Sequence, residues 1–120
     1  MIVADTSLWI DFLDRGLLGL RDLLERGQVM MHPFIIGEFA LGIPRNRARI
    51  LADLGDLPKT VVAQDQEVMR FIESHKLYGL GIGFVDVHLL ASVQLTPNTL
   101  LWTKDSRLRT AAMKLGLAYL

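Results

Sequence analysis

The chain has 120 residues, 51% of them apolar, no cysteine, and thirteen basic against thirteen acidic side chains. That length and apolar content fit one domain, residues 1–120, able to bury a core without staples. The missing cysteines exclude disulfides, thiolate metal sites and cysteine nucleophiles, and the balanced charge excludes attraction of nucleic acid by the overall field, so any such contact must come from a local cluster of cations. Ile2-Val3-Ala4 reads as a short buried strand. Ser7 to Arg15 follows as a helix with Leu8, Trp9, Phe12 and Leu13 on one face. Leu17 to Arg26 is a second helix, stopped by Gly27. Val29-Met30-Met31 is the second strand, and Pro33 opens a helix to about Leu41. Ala48 to Leu57 places Ile50, Leu51, Leu54 and Leu57 at helical spacing. Thr60 to Ala63 reads as a third strand, and Asp65 as the cap of a helix through about Leu77. Phe84 to Leu95 is nearly all apolar, hence a buried helix. Thr99 to Trp102 is the fourth strand, Asp105 to Leu115 a helix ended by Gly116, and Leu117 to Leu120 a last short strand.

Strands that are short, apolar and separated by helices predict an α/β fold: a mainly parallel sheet of four or five strands with helices on both faces. The N-terminus lacks a cationic region and meets Asp5 at once, unlike a signal peptide. The apolar run at 84–95 is too short to span a bilayer and carries Asp86 and His88. The expectation is a soluble cytoplasmic protein with no membrane partner.

Four carboxylates stand out by position. Asp5 closes the first strand and Asp105 follows the fourth. In an open α/β sheet, ligands bind beyond the carboxyl ends of the strands, so both acids belong to one edge. Glu38 lies within Phe34-Ile35-Ile36-Gly37-Glu38-Phe39-Ala40-Leu41, and Asp86 within Phe84-Val85-Asp86-Val87-His88-Leu89-Leu90. Burying an unpaired carboxylate costs several kcal/mol, and no basic residue adjoins either acid. Each also has a local explanation: a helix cap for Asp5 and Asp105, a solvated stripe for Glu38, a helix dipole for Asp86. One shared cation site explains all four together. Oxygen ligands without cysteine favour magnesium or manganese over zinc, and the chemistry of such a site is phosphodiester hydrolysis.

Val3-Ala4-Asp5-Thr6-Ser7, Glu38, Gly83-Phe84-Val85-Asp86-Val87-His88-Leu89-Leu90-Ala91-Ser92 and Thr103-Lys104-Asp105-Ser106-Arg107-Leu108 together resemble the PIN-domain ribonucleases, and within them the VapC-like toxins of type II toxin–antitoxin systems. The resemblance covers the chain in length, order and spacing. It implies a three-layer α/β/α sandwich, a magnesium-dependent endoribonuclease, and a metal held most directly by Asp5 and Asp86, with Glu38 and Asp105 completing the pocket. It also implies supporting hydroxyls from Thr6, Ser7, Thr103 and Ser106. Where some relatives carry a further acid after the fourth, this chain has Arg107 and Arg109. The partners implied are RNA, a second copy of the chain, and a VapB-like antitoxin whose C-terminal segment covers the acids, with an arginine reaching into them.

Lys104 and Arg107 adjoin Asp105 and are the candidate contacts to RNA phosphates. Arg45, Arg47 and Arg49 form a second cluster of undecided role. His88 points away from Asp86 on a helix and reads as structural, while His32 and His75 carry no signal. Trp9 and Phe12 suit the core or a groove for a partner's helix. Two rivals remain. A receiver-type switch would need an acid pair after the first strand and an acceptor Asp after the third, where this chain has Asp5 alone and Ala63-Gln64. A PIN fold without catalysis would have no use for all four acids.

Overall fold

The sheet is built around β1 (Ile2–Ala4), which pairs in parallel with β2 (Val29–Met30) on one side and β3 (Leu100–Trp102) on the other. These come from a computed structural model that describes residues 1–42 and 45–120. The register aligns Ile2 with Val29 and Leu100, and Ala4 with Trp102. All three β1 residues are buried although successive side chains point to opposite faces. Both faces of the sheet are therefore covered, as the unalternating apolar strands predict.

Helices fill the intervals: α1 (Thr6–Arg15), α2 (Leu18–Glu25), α3 (Pro33–Ala40), α4 (Arg47–Gly55), α5 (Asp65–His75), α6 (Phe84–Leu95) and α7 (Ser106–Lys114). Among the described residues none is long and apolar enough to cross a membrane. α6 is the core helix, with every residue from Val87 to Val93 buried. Leu90 has no exposed surface, so its truncation to alanine would cost about 2–5 kcal/mol. Trp102, at the end of β3, brings the tip of its ring to α2, where a Cβ on Gly19 would stand 3.2 Å from it. A side chain there would require the ring to shift by a few tenths of an ångström.

Two of the expected strands differ. The stretch 60–63 forms no strand; the ladder there stops at a single parallel bridge between Met31 and Lys59. The reason lies in α6. The Val61 N–H donates to the Thr96 hydroxyl (3.0 Å) and the Ala63 N–H to the Ser92 hydroxyl (3.0 Å). These side chains take donors that a strand would have offered to its neighbour. At the other edge, residues 117–120 contribute one parallel bridge, Leu101 to Ala118. Among the described residues the sheet has three strands with a single bridge flanking each outer edge.

The cap of α5 is also displaced by one residue. Gln64 occupies the cap position and Asp65 begins the helix. The Glu67 carboxylate accepts from the Gln64 N–H at 2.9 Å, half of a capping box.

Candidate active site

Asp5 and Asp105 are helix caps in fact, as their local explanation supposed. Asp5 caps α1, its Oδ1 accepting from the Thr6 N–H at 2.8 Å. Asp105 caps α7, its Oδ1 accepting from the N–H groups of Arg107 and Leu108, both at 3.0 Å. Capping does not compete with the shared-site reading, because both caps sit at the carboxyl ends of adjacent parallel strands. Asp5 follows β1, Asp105 follows β3, and the Asp5 N–H still donates to the Trp102 carbonyl at 2.9 Å.

Thr103 joins these two acids. It is buried, donates its hydroxyl hydrogen to Asp5 Oδ2 at 2.9 Å, and accepts from the Asp105 N–H at 3.1 Å. Thr6 extends the chain of contacts to α3, its hydroxyl donating to Glu38 Oε1 at 2.7 Å. A hydroxyl at each of these positions can give one hydrogen and accept others, so it tethers a carboxylate without adding charge. The Ser7 and Ser106 hydroxyls reach none of the four acids among the described residues.

Glu38 is exposed, contrary to what its apolar neighbours predict. On a helix of eight residues it falls, with Gly37, on the open side, while Ile35 and Phe39 face inward. Asp86 is half-buried near the start of α6 and accepts no hydrogen bond among the described residues. Burial, and then the charges of Asp5, Asp105 and Glu38, push its carboxyl up to about 6. Every one of the other three acids is thus close enough to Asp86 to disfavour its ionisation.

As the side chains stand, no three Asp, Glu or His groups among the described residues are gathered tightly enough to clasp an ion. Their oxygens are engaged instead: Asp5 by Thr6 and Thr103, Asp105 by its helix, Glu38 by Thr6. The donor set still fits a hard divalent cation, since it is all oxygen, converges on an acid with no partner of its own, and has no competing soft ligand.

The neighbouring cations are arranged unequally. Lys104 turns to Asp11 on α1 rather than to Asp105, and this contact, ahead of Arg15, holds the Asp11 carboxyl below its usual range. Arg107 lies over the loop that leads into α6. A Cβ on Gly81, whose φ is +75°, would stand 2.6 Å from its Nη1. Arg47 closes the end of α3, donating to the Ala40 carbonyl from Nε (3.1 Å) and Nη2 (2.6 Å). Trp9 is buried in the core as expected, while Phe12 packs edge-on against it at 6.0 Å.

Sequence reasoning passed over His32. It is wholly buried and caps α3, its Nδ1 accepting from the Phe34 N–H at 3.0 Å. A polar residue directly before a proline that opens a helix is a capping signal, and it was available in His32-Pro33. His88 is buried as predicted, 3.4 Å from Asp65 Oδ1 through Nε2.

A model of the PIN domain matches residues 2–114, which includes all four acids. The chain belongs to the PIN-domain family. Ribonuclease VapC32 of Mycobacterium tuberculosis is 39% identical over 118 residues, covering 98% of this chain and 95% of that protein, in both strain CDC 1551 / Oshkosh and strain ATCC 25618 / H37Rv. In this PIN domain the matched region therefore ends only where α7 does.

Proposed function

We propose that this PIN domain is a magnesium-dependent endoribonuclease, the toxin half of a VapBC-like pair, acting in the cytoplasm as one unit over residues 1–120. The observation that carries the reading is the grouping of Asp5, Glu38 and Asp105 through Thr6 and Thr103 at the carboxyl edge of the sheet, with all three near enough to Asp86 to disfavour its ionisation. The likeness to a protein named as a VapC ribonuclease supports the choice of RNA.

Asp5 and Asp86 would hold the ion, with manganese as a substitute, and Glu38 and Asp105 would complete its surroundings. When bound, a divalent cation neutralises charge on the scissile phosphate and makes a water acidic enough to attack it. Glu38, exposed like Asp105, would orient an attacking water together with it, and one of the two would take its proton. Thr6 and Thr103 keep Glu38 and Asp5 aimed. Arg107 approaches RNA phosphates beside the acids, and Lys104 does so on leaving Asp11. The partners that follow are a second copy of the chain and a VapB-like antitoxin that covers the acids with a segment bearing an arginine.

The test is cleavage of labelled RNA with magnesium, with and without a chelator, alongside Asp86→Ala. Chelation and substitution should each abolish cleavage while circular dichroism stays that of the parent. Full activity in a well-folded Asp86→Ala protein, or in excess chelator, refutes the assignment.

A further inference from the structure

Three of the four acids are tethered to one another through Thr6 and Thr103, but Asp86 is not. Its position relative to Glu38 depends on how α6 sits against α3. Where those two elements meet there is one buried polar junction. His32 caps α3 through Nδ1, which accepts from the Phe34 N–H. That bond leaves the hydrogen of the neutral ring on Nε2, which stands 3.0 Å from the Ser92 hydroxyl on α6. Ser92 donates to the His88 carbonyl at 2.9 Å and also accepts from the Ala63 N–H at 3.0 Å. Its one hydrogen and both lone pairs are in use, so the junction has a single arrangement. Burial, and then the nearby His88, hold the His32 ring down at about 4, which keeps it neutral. Phe34 and His88 pack against each other beside it, ring centres 4.5 Å apart.

We infer that His32 is a positioning residue for cleavage: through Ser92 it locks the entrance of α3 to α6 and so sets Glu38 against Asp86. The inference rests on the acid site proposed above. His32 touches neither RNA nor the acids, and its cost on removal is geometric. Displacements of about 1 Å at reacting groups lower rates by up to a hundredfold.

The two functions of the ring separate by substitution. In His32→Asn the side-chain oxygen stands where Nδ1 was and keeps the cap, but nothing reaches Ser92. In His32→Gln the amide nitrogen stands where Nε2 was and restores the link while the cap is lost. His32→Asn should lower kcat roughly tenfold with KM within about twofold, and weaken manganese binding measured by titration of the RNA-free protein. His32→Gln should recover most of both, although it loses the cap. A kcat in folded His32→Asn equal to the parent's, or losses in both variants that simply follow their Tm, would overturn the inference. Ser92→Ala, read the same way, tests the link from the α6 side if the histidine variants do not fold. Asp86→Asn is the control. If it cleaves RNA, the acid site itself is wrong and the inference falls with it; if it is inactive while His32→Asn is fully active, only the positioning role fails.

Discussion

Asp5 and Asp86 stand on the same edge of the molecule and are held there in opposite ways. Asp5 has both oxygens hydrogen-bonded, one to the start of its own helix and one to Thr103, which in turn fixes Asp105. Asp86 has no polar partner among the described residues and is carried by the packing of a buried helix. The first arrangement is local and comes with its hydrogen bonds. The second is tertiary and leaves a carboxyl exposed to the repulsion of three others. A site of the kind proposed, which would receive a cation, gains from both. The tethered acids give it a fixed frame, and the untethered one supplies the unmet charge.

The difference is broken most severely at the untethered acid. Asp86→Asn should reduce cleavage by about a thousandfold or more, as loss of a principal charge at a phosphoryl site does, yet stabilise the metal-free protein. The Asp86 carboxyl sits up at about 6, above the ordinary 3.8, so the folded state binds the extra proton between those values. Stability contributed by this group is greatest in acid and falls as the pH rises from about 4 to 6. The substitution should therefore raise Tm at pH 7 by a few degrees in chelator, and the gain should vanish below about pH 4. Thermal denaturation at both pH values decides it; an unchanged Tm at pH 7 would mean that neither burial nor the three neighbouring charges disfavour the ionised carboxyl.

The tethered frame is broken at Thr103. Thr103→Val keeps the shape but removes the bond to Asp5 and leaves the Asp105 N–H unpaired, at a cost of about 1–3 kcal/mol. Cleavage should fall about ten- to a hundredfold, measured as kcat on a short RNA at a temperature where the variant is folded. A parental rate would show that Asp5 needs no tether. The comparison is sharpened by Ser106→Ala, whose hydroxyl reaches none of the acids: its rate should stay within about twofold of the parent, and a large loss would reveal a contact formed only with RNA.

The strands that carry Asp5 and Asp105 were legible because a short apolar run followed by an acid and a hydroxyl is both a strand end and a helix start. Asp86 was legible as an acid within a core helix. Glu38 was singled out for a faulty reason, since its flanking residues are apolar while its own face is open; eight residues are too few for periodicity to reveal which side faces solvent. The stretch 60–63 was misread as a strand because nothing local announces that its N–H groups meet hydroxyls thirty residues away. Lys104 looked like a neighbour of Asp105 and turned instead to Asp11, ninety-three residues away on α1. His32 was passed over because its link to Ser92 spans sixty residues, although its capping role was written in the proline that follows it.

The diversion of the Val61 and Ala63 N–H groups to Thr96 and Ser92 has a consequence for solubility. An open row of strand donors beside β2 would be a template for another molecule's chain. Here Val61 and Val62 are half exposed and β-branched, a composition prone to intermolecular ladders, but two of the donors such a ladder would use already face inward. α6 therefore blunts the margin of the sheet, and a variant that freed those donors would be expected to clump before it unfolds.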